Sequence, residues 1–206
     1  MTSSRLVLSL IEMLLAMAAG VAALLGAAGP ARAALSDCID ATCRITTAEG
    51  SCGSGCVFEI GNGSVYVLTA GHVAGNAAAV QCEFWRHGHQ SSPLAGQVIG
   101  RSAAADAAVV AVPAAALGGL LPAAIPLAPR GEAVRAGDTL ASVGCAGGSW
   151  STGWKGHALG YEAEELRFVP APANGRSGSA LFDGEEGGGQ PEAGPNPAVT
   201  LEAATA

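Results

Sequence analysis

The sequence predicts an all-β fold. Short valine-rich apolar runs alternate with glycine-bearing turns from about residue 56 to residue 182. No stretch carries the apolar period of a long amphipathic helix, and no segment repeats another. Many short strands with glycine turns and no helical pattern build a barrel or a sandwich of antiparallel strands.

The first 33 residues stand apart from that pattern. A short polar start carrying Arg5 precedes residues 6–28, which are apolar apart from Ser9, Glu12 and small glycines. Ala31-Arg32-Ala33 then supplies a small-x-small cleavage site. This is the layout of a secretory signal peptide, so the mature chain is expected to be secreted or periplasmic. An uncleaved anchor is the alternative, because residues 13–28 are nearly long enough to span a bilayer. Residues 34–206 remain, enough for one domain or two small halves sharing a core. Of 10 basic and 17 acidic side chains only Arg5, Arg32 and Glu12 precede residue 34, leaving 8 against 16. That balance disfavours nucleic acid and anionic membrane surfaces, which call for clustered Lys and Arg. After cleavage no membrane partner is expected.

All six cysteines, Cys38, Cys43, Cys52, Cys56, Cys82 and Cys145, lie beyond the leader. An even count in an exported chain predicts disulfides, with a connectivity that sequence leaves open. The crowding of four between residues 38 and 56 suggests a segment stapled to itself or to the first sheet. Zinc is disfavoured, since no pair is spaced C-x-x-C and no histidine falls among them.

The strands follow in order. Cys56-Val57-Phe58-Glu59-Ile60 and Ser64-Val65-Tyr66-Val67-Leu68-Thr69 flank Gly61-Asn62-Gly63 and predict a hairpin. Residues 78–84 alternate with period two, and residues 96–100 form another short strand. Residues 107–112 are continuously apolar and end at Pro113, which suits a strand buried on both faces. Residues 113–127 are a connector rich in proline, alanine and leucine. Residues 138–145, 153–161 and 165–169 are further strands, and Leu181-Phe182 opens another.

The chemistry centres on Asn174-Gly175-Arg176-Ser177-Gly178-Ser179-Ala180-Leu181. A serine hydroxyl attacks a carbonyl only if a base takes its proton and donors hold the oxyanion that forms. Glycines beside it let bare backbone N–H groups face the reacting carbonyl. His72 stands just after a strand in Leu68-Thr69-Ala70-Gly71-His72-Val73. Neutral imidazole can accept the serine proton and later protonate a leaving amine. Asp106 stands just before a buried strand, in Asp106-Ala107-Ala108-Val109-Val110, where a carboxylate can fix the imidazole tautomer. The chain order His, Asp, Ser excludes the α/β-hydrolase and subtilisin arrangements.

These three blocks resemble the T-A-x-H, D-[IL]-A-[LV]-[LV] and G-[DN]-S-G-[GS]-[PA]-[LV] blocks of the trypsin-like (chymotrypsin-fold) serine peptidases, bacterial secreted type. The resemblance covers about residues 55–183. It implies two six-stranded antiparallel barrels with the triad His72, Asp106 and Ser177 in the cleft between them. It also implies an oxyanion hole from the N–H groups of Gly175 and Ser177, and hydrolysis of peptide or protein substrates through an acyl-enzyme. No cofactor, metal or organic, is implied. The organisation expected is a signal peptide at 1–33 and a peptidase domain at 34–183. Within it the first barrel falls at about 50–115 and the second at about 125–183. A Gly/Glu/Pro-rich tail at 184–206 reads as disordered.

Two departures qualify the resemblance. Arg176 replaces the aspartate that, in the animal digestive members, pairs with a freed amino terminus, so activation of that kind is not expected. Only residues 178–206 follow Ser177, with a strand candidate at 198–201 alone, so the second barrel is expected to run short at the C-terminus. The rival reading is therefore a catalytically inactive module of the same fold that binds peptides or proteins. Pro170, Ala171 and Pro172 are not acidic, so a preference for Lys or Arg substrates has no support. His87 and His89 read as a solvated loop, His157 as structural or on the cleft rim, and Trp150 and Trp154 as covers of the second barrel.

Overall fold

The computed structural model describes residues 35–86, 88–127, 134–150, 152–163, 165–183 and 200–201. The expected leader, His87 and the tail apart from residues 200–201 lie outside them.

A short helix, α1 (Leu35–Ala41), leads into β1 (Thr42–Thr46). Cys43 and Ile45 are fully buried while Arg44 and Thr46 are half-buried. The two-residue period of a strand is there once cysteine counts as a small apolar side chain. The strands β2 (Cys52–Gly61) and β3 (Ser64–Ala70) form the expected hairpin. Its turn residues Asn62 and Gly63 have φ of 51° and 74°, as tight hairpins require. The chain continues through α2 (Gly71–Ala74), β4 (Ala79–Arg86), β5 (His89–Gln90), β6 (Leu94–Ser102) and β7 (Ala107–Pro113).

The order β1-β2-β3-β7-β6-β4 closes because β4 pairs back onto β1, with Cys43 opposite Phe84 and Ile45 opposite Cys82. The result is a six-stranded barrel with β5 appended to β4. Ile45, Val57, Val65, Val67, Val110 and Val112 fill it and are fully buried. In β7 buried Ala108, Val110 and Val112 alternate with half-buried neighbours. The expectation of burial on both faces is thus corrected, since a closed barrel has one inside.

The second half holds β8 (Thr139–Gly144), β9 (Thr152–Glu162), β10 (Glu165–Val169), β11 (Ala180–Asp183) and β12 (Thr200–Leu201) in the order β10-β9-β8-β11-β12. Among the described residues it is an open five-stranded sheet rather than a closed barrel. Leu140, Ala158, Leu166 and Leu181 form its core, with Trp154 and Phe168 packed on them. Over Ala180 and Leu181, β11 is paired on one side by β12, and β8 takes the other side from Leu181 onward. The sheet edge near the serine segment is therefore covered.

The halves are joined around β1. Val143, Ala180 and Phe182 pack into the barrel core. Arg44 grips Glu83 through Nε at 2.9 Å and Nη2 at 2.8 Å, and donates from Nη1 to the Gly148 carbonyl at 2.9 Å. Trp150 lies 5.0 Å from that guanidinium and 5.8 Å from the Trp85 ring. Trp150 is thus a bridge to the first barrel rather than a cover of the second half.

No disulfide joins the cysteines in this structure, although the Cys43 and Cys82 side chains are within hydrogen-bonding reach of each other. In the ladders Cys43 faces Gly55 and Phe84, Cys56 faces Thr42 and Leu68, and Cys82 faces Ile45 and Leu94, while the Cys43 and Cys82 side chains meet diagonally across the β1–β4 pair. Burial pushes the Cys38 thiol up to about 11 and the Cys56 thiol up to about 12, which keeps both protonated near neutral pH.

Candidate active site

The adjacent strands β3 and β7 run antiparallel with Ala70 opposite Ala107. The residue leaving β3 and the residue entering β7 therefore meet at one end of the barrel. His72 sits in α2, immediately beyond β3, and Asp106 immediately before β7. Their side chains are joined by a His72 Nδ1 to Asp106 Oδ2 hydrogen bond of 2.6 Å. The His72 backbone N–H donates to Asp106 Oδ1 at 2.8 Å, and the Gly71 N–H donates to the Asp106 carbonyl at 2.7 Å. Both carboxylate oxygens are thereby directed. Asp106 holds this position with φ of 42°, a left-handed conformation that aspartate tolerates better than most residues. The His72 side chain is 45% exposed and that of Asp106 31%, so the outer edge of the imidazole is open to a reacting partner. Asp106→Asn keeps the shape but removes the acceptor charge that selects the tautomer. It is expected to lower turnover by about 10⁴-fold with little change in KM, as steady-state peptide hydrolysis would read out.

Ser177 lies between β10 and β11, in a turn bounded by Gly175 and Gly178. What holds this turn is Ser54 of β2, a residue with no mark in the sequence beyond its place between two glycines. Its N–H donates to the Ser177 carbonyl at 2.9 Å, and its Oγ donates to the Gly175 carbonyl at 2.8 Å. The same Oγ accepts the Cys145 N–H at 2.8 Å, and its carbonyl accepts Thr69 Oγ1 at 2.7 Å. Ser54 is fully buried, so its own polar groups depend on these bonds for their partners. A chain of contacts thus runs from the serine turn through Ser54 to Thr69, three residues before His72. Ser54→Ala is expected to cost about 1–3 kcal/mol by removing the hydroxyl that bonds both the Gly175 carbonyl and the Cys145 N–H. A lowered urea midpoint at unchanged m-value would register it.

Gly175 adopts φ of 88°, and a Cβ there would stand 2.6 Å from the Cys145 carbonyl and 2.9 Å from the Gly147 nitrogen. The neighbouring turn at 145–148 braces the segment further, with the Gly147 N–H donating to the Asn174 carbonyl at 2.7 Å. Among the described residues neither the Gly175 nor the Ser177 N–H donates to any acceptor. Two unspent backbone donors flanking a hydroxyl are what an oxyanion requires.

The structure therefore joins His72 directly to Asp106, and ties the Ser177 turn to the strand that leads to His72. No hydrogen bond links Ser177 Oγ to the imidazole among the described residues. Such contacts often tighten only when substrate is bound. His157 stands in β9 opposite Thr139 and Val169, and His89 is exposed in β5; neither belongs to this site.

A closed barrel and a second antiparallel sheet, one presenting an imidazole–carboxylate pair and the other a glycine-flanked serine, define the class of chymotrypsin-fold serine peptidases. The chain belongs to the trypsin-like peptidase domain family, which matches it over residues 53–188. Its enzyme class is that of the serine endopeptidases. No curated protein is similar enough in sequence to match. Among solved structures, Deg5 shares 19% identity at a TM-score of 0.59, covering 70% of this chain and 75% of that one. The serine endoprotease from Yersinia pestis shares 19% identity at a TM-score of 0.58, covering 74% of this chain and 54% of that one. The active form of the Rv3671c protease from M. tuberculosis shares 20% identity at a TM-score of 0.53, covering 71% of this chain and 66% of that one. At these identities the likeness is one of fold.

Proposed function

We propose that the chain is an exported serine endopeptidase that uses His72, Asp106 and Ser177 as a triad. Ser177 Oγ attacks the scissile carbonyl while His72 Nε2 takes its proton. Asp106 holds the opposite ring nitrogen protonated and stabilises the imidazolium. The N–H groups of Gly175 and Ser177 receive the oxyanion of the tetrahedral intermediate. The imidazolium then protonates the leaving amine, and water repeats the sequence on the acyl-enzyme. Substrates are peptides or proteins. Residues 1–33 direct export and are removed, a point that the mass of the exported protein tests directly.

The observation that carries the reading is the 2.6 Å bond from His72 Nδ1 to Asp106, which leaves Nε2 as the free base. The open second sheet favours a rival, a binding module of the same fold that hydrolyses nothing. A fluorophosphonate probe on the full chain separates them. Labelling that disappears in Ser177→Ala supports the peptidase; a folded protein that never labels supports the rival.

A further inference from the structure

His72 sits in α2, a helix of a single turn, Gly71–Ala74. A helix that short has no stability of its own. The imidazole keeps its place only if the surrounding chain holds both ends of the turn. At the start Ala70 offers no side-chain cap. Asp106 caps the turn instead, taking the Gly71 N–H on its carbonyl and the His72 N–H on Oδ1. At the finish the Gly75 N–H donates to the Gly71 carbonyl at 2.9 Å. The exit beyond it is held by one side chain. Arg101 donates from Nε to the Gly75 carbonyl at 3.0 Å and from Nη2 to the Ala77 carbonyl.

Arg101 reaches this exit because β6 is irregular. Val98 pairs with Val110 and Gly100 with Val109, so Ile99 is an extra residue in the ladder and stands 56% exposed. Such a bulge moves every later side chain of the strand to the other face. It sets Arg101 opposite buried Ala108, where a regular ladder would set it opposite Ala107. Arg101 thus takes the face of Ala108 at the end of the barrel where α2 lies. Arg101 and Asp106 flank the β6–β7 turn. The Ala105 N–H donates to Ser102 Oγ at 3.2 Å and the Asp106 N–H to the Ala103 carbonyl at 3.4 Å, which fixes that turn. One turn therefore grips α2 from both ends, with a carboxylate at its start and a guanidinium past its finish. A guanidinium suits the second place, being a rigid fork of donors whose charge complements a helix C-terminus.

We propose that Arg101 is a positioning residue for His72, acting through the backbone of residues 75–77 to keep the imidazole aligned with Asp106. Its effect on rate rests on the peptidase reading; its hold on α2 does not. Two readouts on the full chain test it. One is the rate of fluorophosphonate labelling. The other is the proton NMR resonance of His72 Nδ1–H, which the bond to Asp106 shifts downfield and protects from exchange. Arg101→Met keeps the length and removes the donors. It is expected to slow labelling about 10- to 100-fold, the scale of a small misplacement of a reacting group, and to broaden the resonance. The Tm should stay within about 2 °C, because Arg101 is exposed. Arg101→Lys should recover part of the rate. Arg101→Ala should be rescued by dilute guanidinium ion and not by potassium ion at the same ionic strength. Arg167→Met, at an exposed arginine of β10, is the control and should change neither readout. Labelling and resonance both unaltered in Arg101→Met overturn the proposal. Slower labelling with an unchanged resonance also overturns it, since the ring would then not have moved. So does a loss that comes with a lower Tm and that neither lysine nor guanidinium ion restores. An unaltered chain that never labels, with a resonance that depends on Arg101, upholds the hold on α2 while the peptidase reading fails; labelling indifferent to Arg101 does the reverse.

Discussion

Replacing Ser177 by alanine is expected to lower peptide hydrolysis by roughly 10⁴- to 10⁶-fold, leaving only what the backbone donors and substrate binding provide. The protein should remain folded. Ser177 Oγ makes no hydrogen bond among the described residues, and its turn is held by backbone contacts to Ser54. Its stability is therefore expected to change by no more than about 0.5 kcal/mol. The combination is diagnostic, because a structural serine would lose stability and a catalytic one loses rate. His72→Ala should cost a comparable factor, and the double variant little more, since base and nucleophile act as one unit. Hydrolysis by purified Ser177→Ala at the rate of the unaltered chain would end the proposed mechanism.

The second large effect is on folding. Gly178→Ala is expected to destabilise the protein by about 2–5 kcal/mol, combining a left-handed backbone penalty with overpacking. Gly178 has φ of 82°, and a Cβ there would collide with the Ser54 carbonyl and Thr69 Oγ1 and stand 2.8 Å from the Ala70 nitrogen. The obstacles include backbone of β2 and β3, which cannot swing aside as a flexible side chain would. Gly63 is the matched control: its φ is 74°, with nothing within 4 Å of the added carbon. Gly63→Ala should cost only about 1–2 kcal/mol, the conformational penalty alone. Urea midpoints for the pair separate the two contributions, and equal losses would refute the packing argument. Total stabilities of small domains are about 5–15 kcal/mol, so Gly178→Ala threatens the fold itself. It should also lower activity, because the displaced contacts join the serine turn to the strand leading to His72.

Much of this was legible in the chain. Strands β3, β7, β9 and β10 begin and end within about one residue of the runs expected for them, while β2 begins at Cys52, four residues ahead of its apolar run. The pairing of His72 with Asp106 followed from two blocks at strand ends. Less legible was β1, where Cys43 read as part of a cysteine cluster although it is buried like an ordinary small core residue. Cysteine has two physical uses, bonding and filling space, and its spacing alone does not say which applies. Ser54 was not legible at all. It looks like any serine between glycines, and its importance lies in partners 91 and 121 positions away.

The sequence by itself determined what depends on neighbours along the chain: an all-β class, the positions of the turns, and three chemically matched blocks in the order His, Asp, Ser. Strand alternation and turn conformation are local preferences, written in adjacent residues. Only the tertiary structure decided that β4 closes the first barrel onto β1, that the second half stays an open sheet among the described residues, and that Ser54 holds the serine turn. Those outcomes depend on burial and hydrogen bonding between distant segments, whose energies exist only once the chain has folded around them.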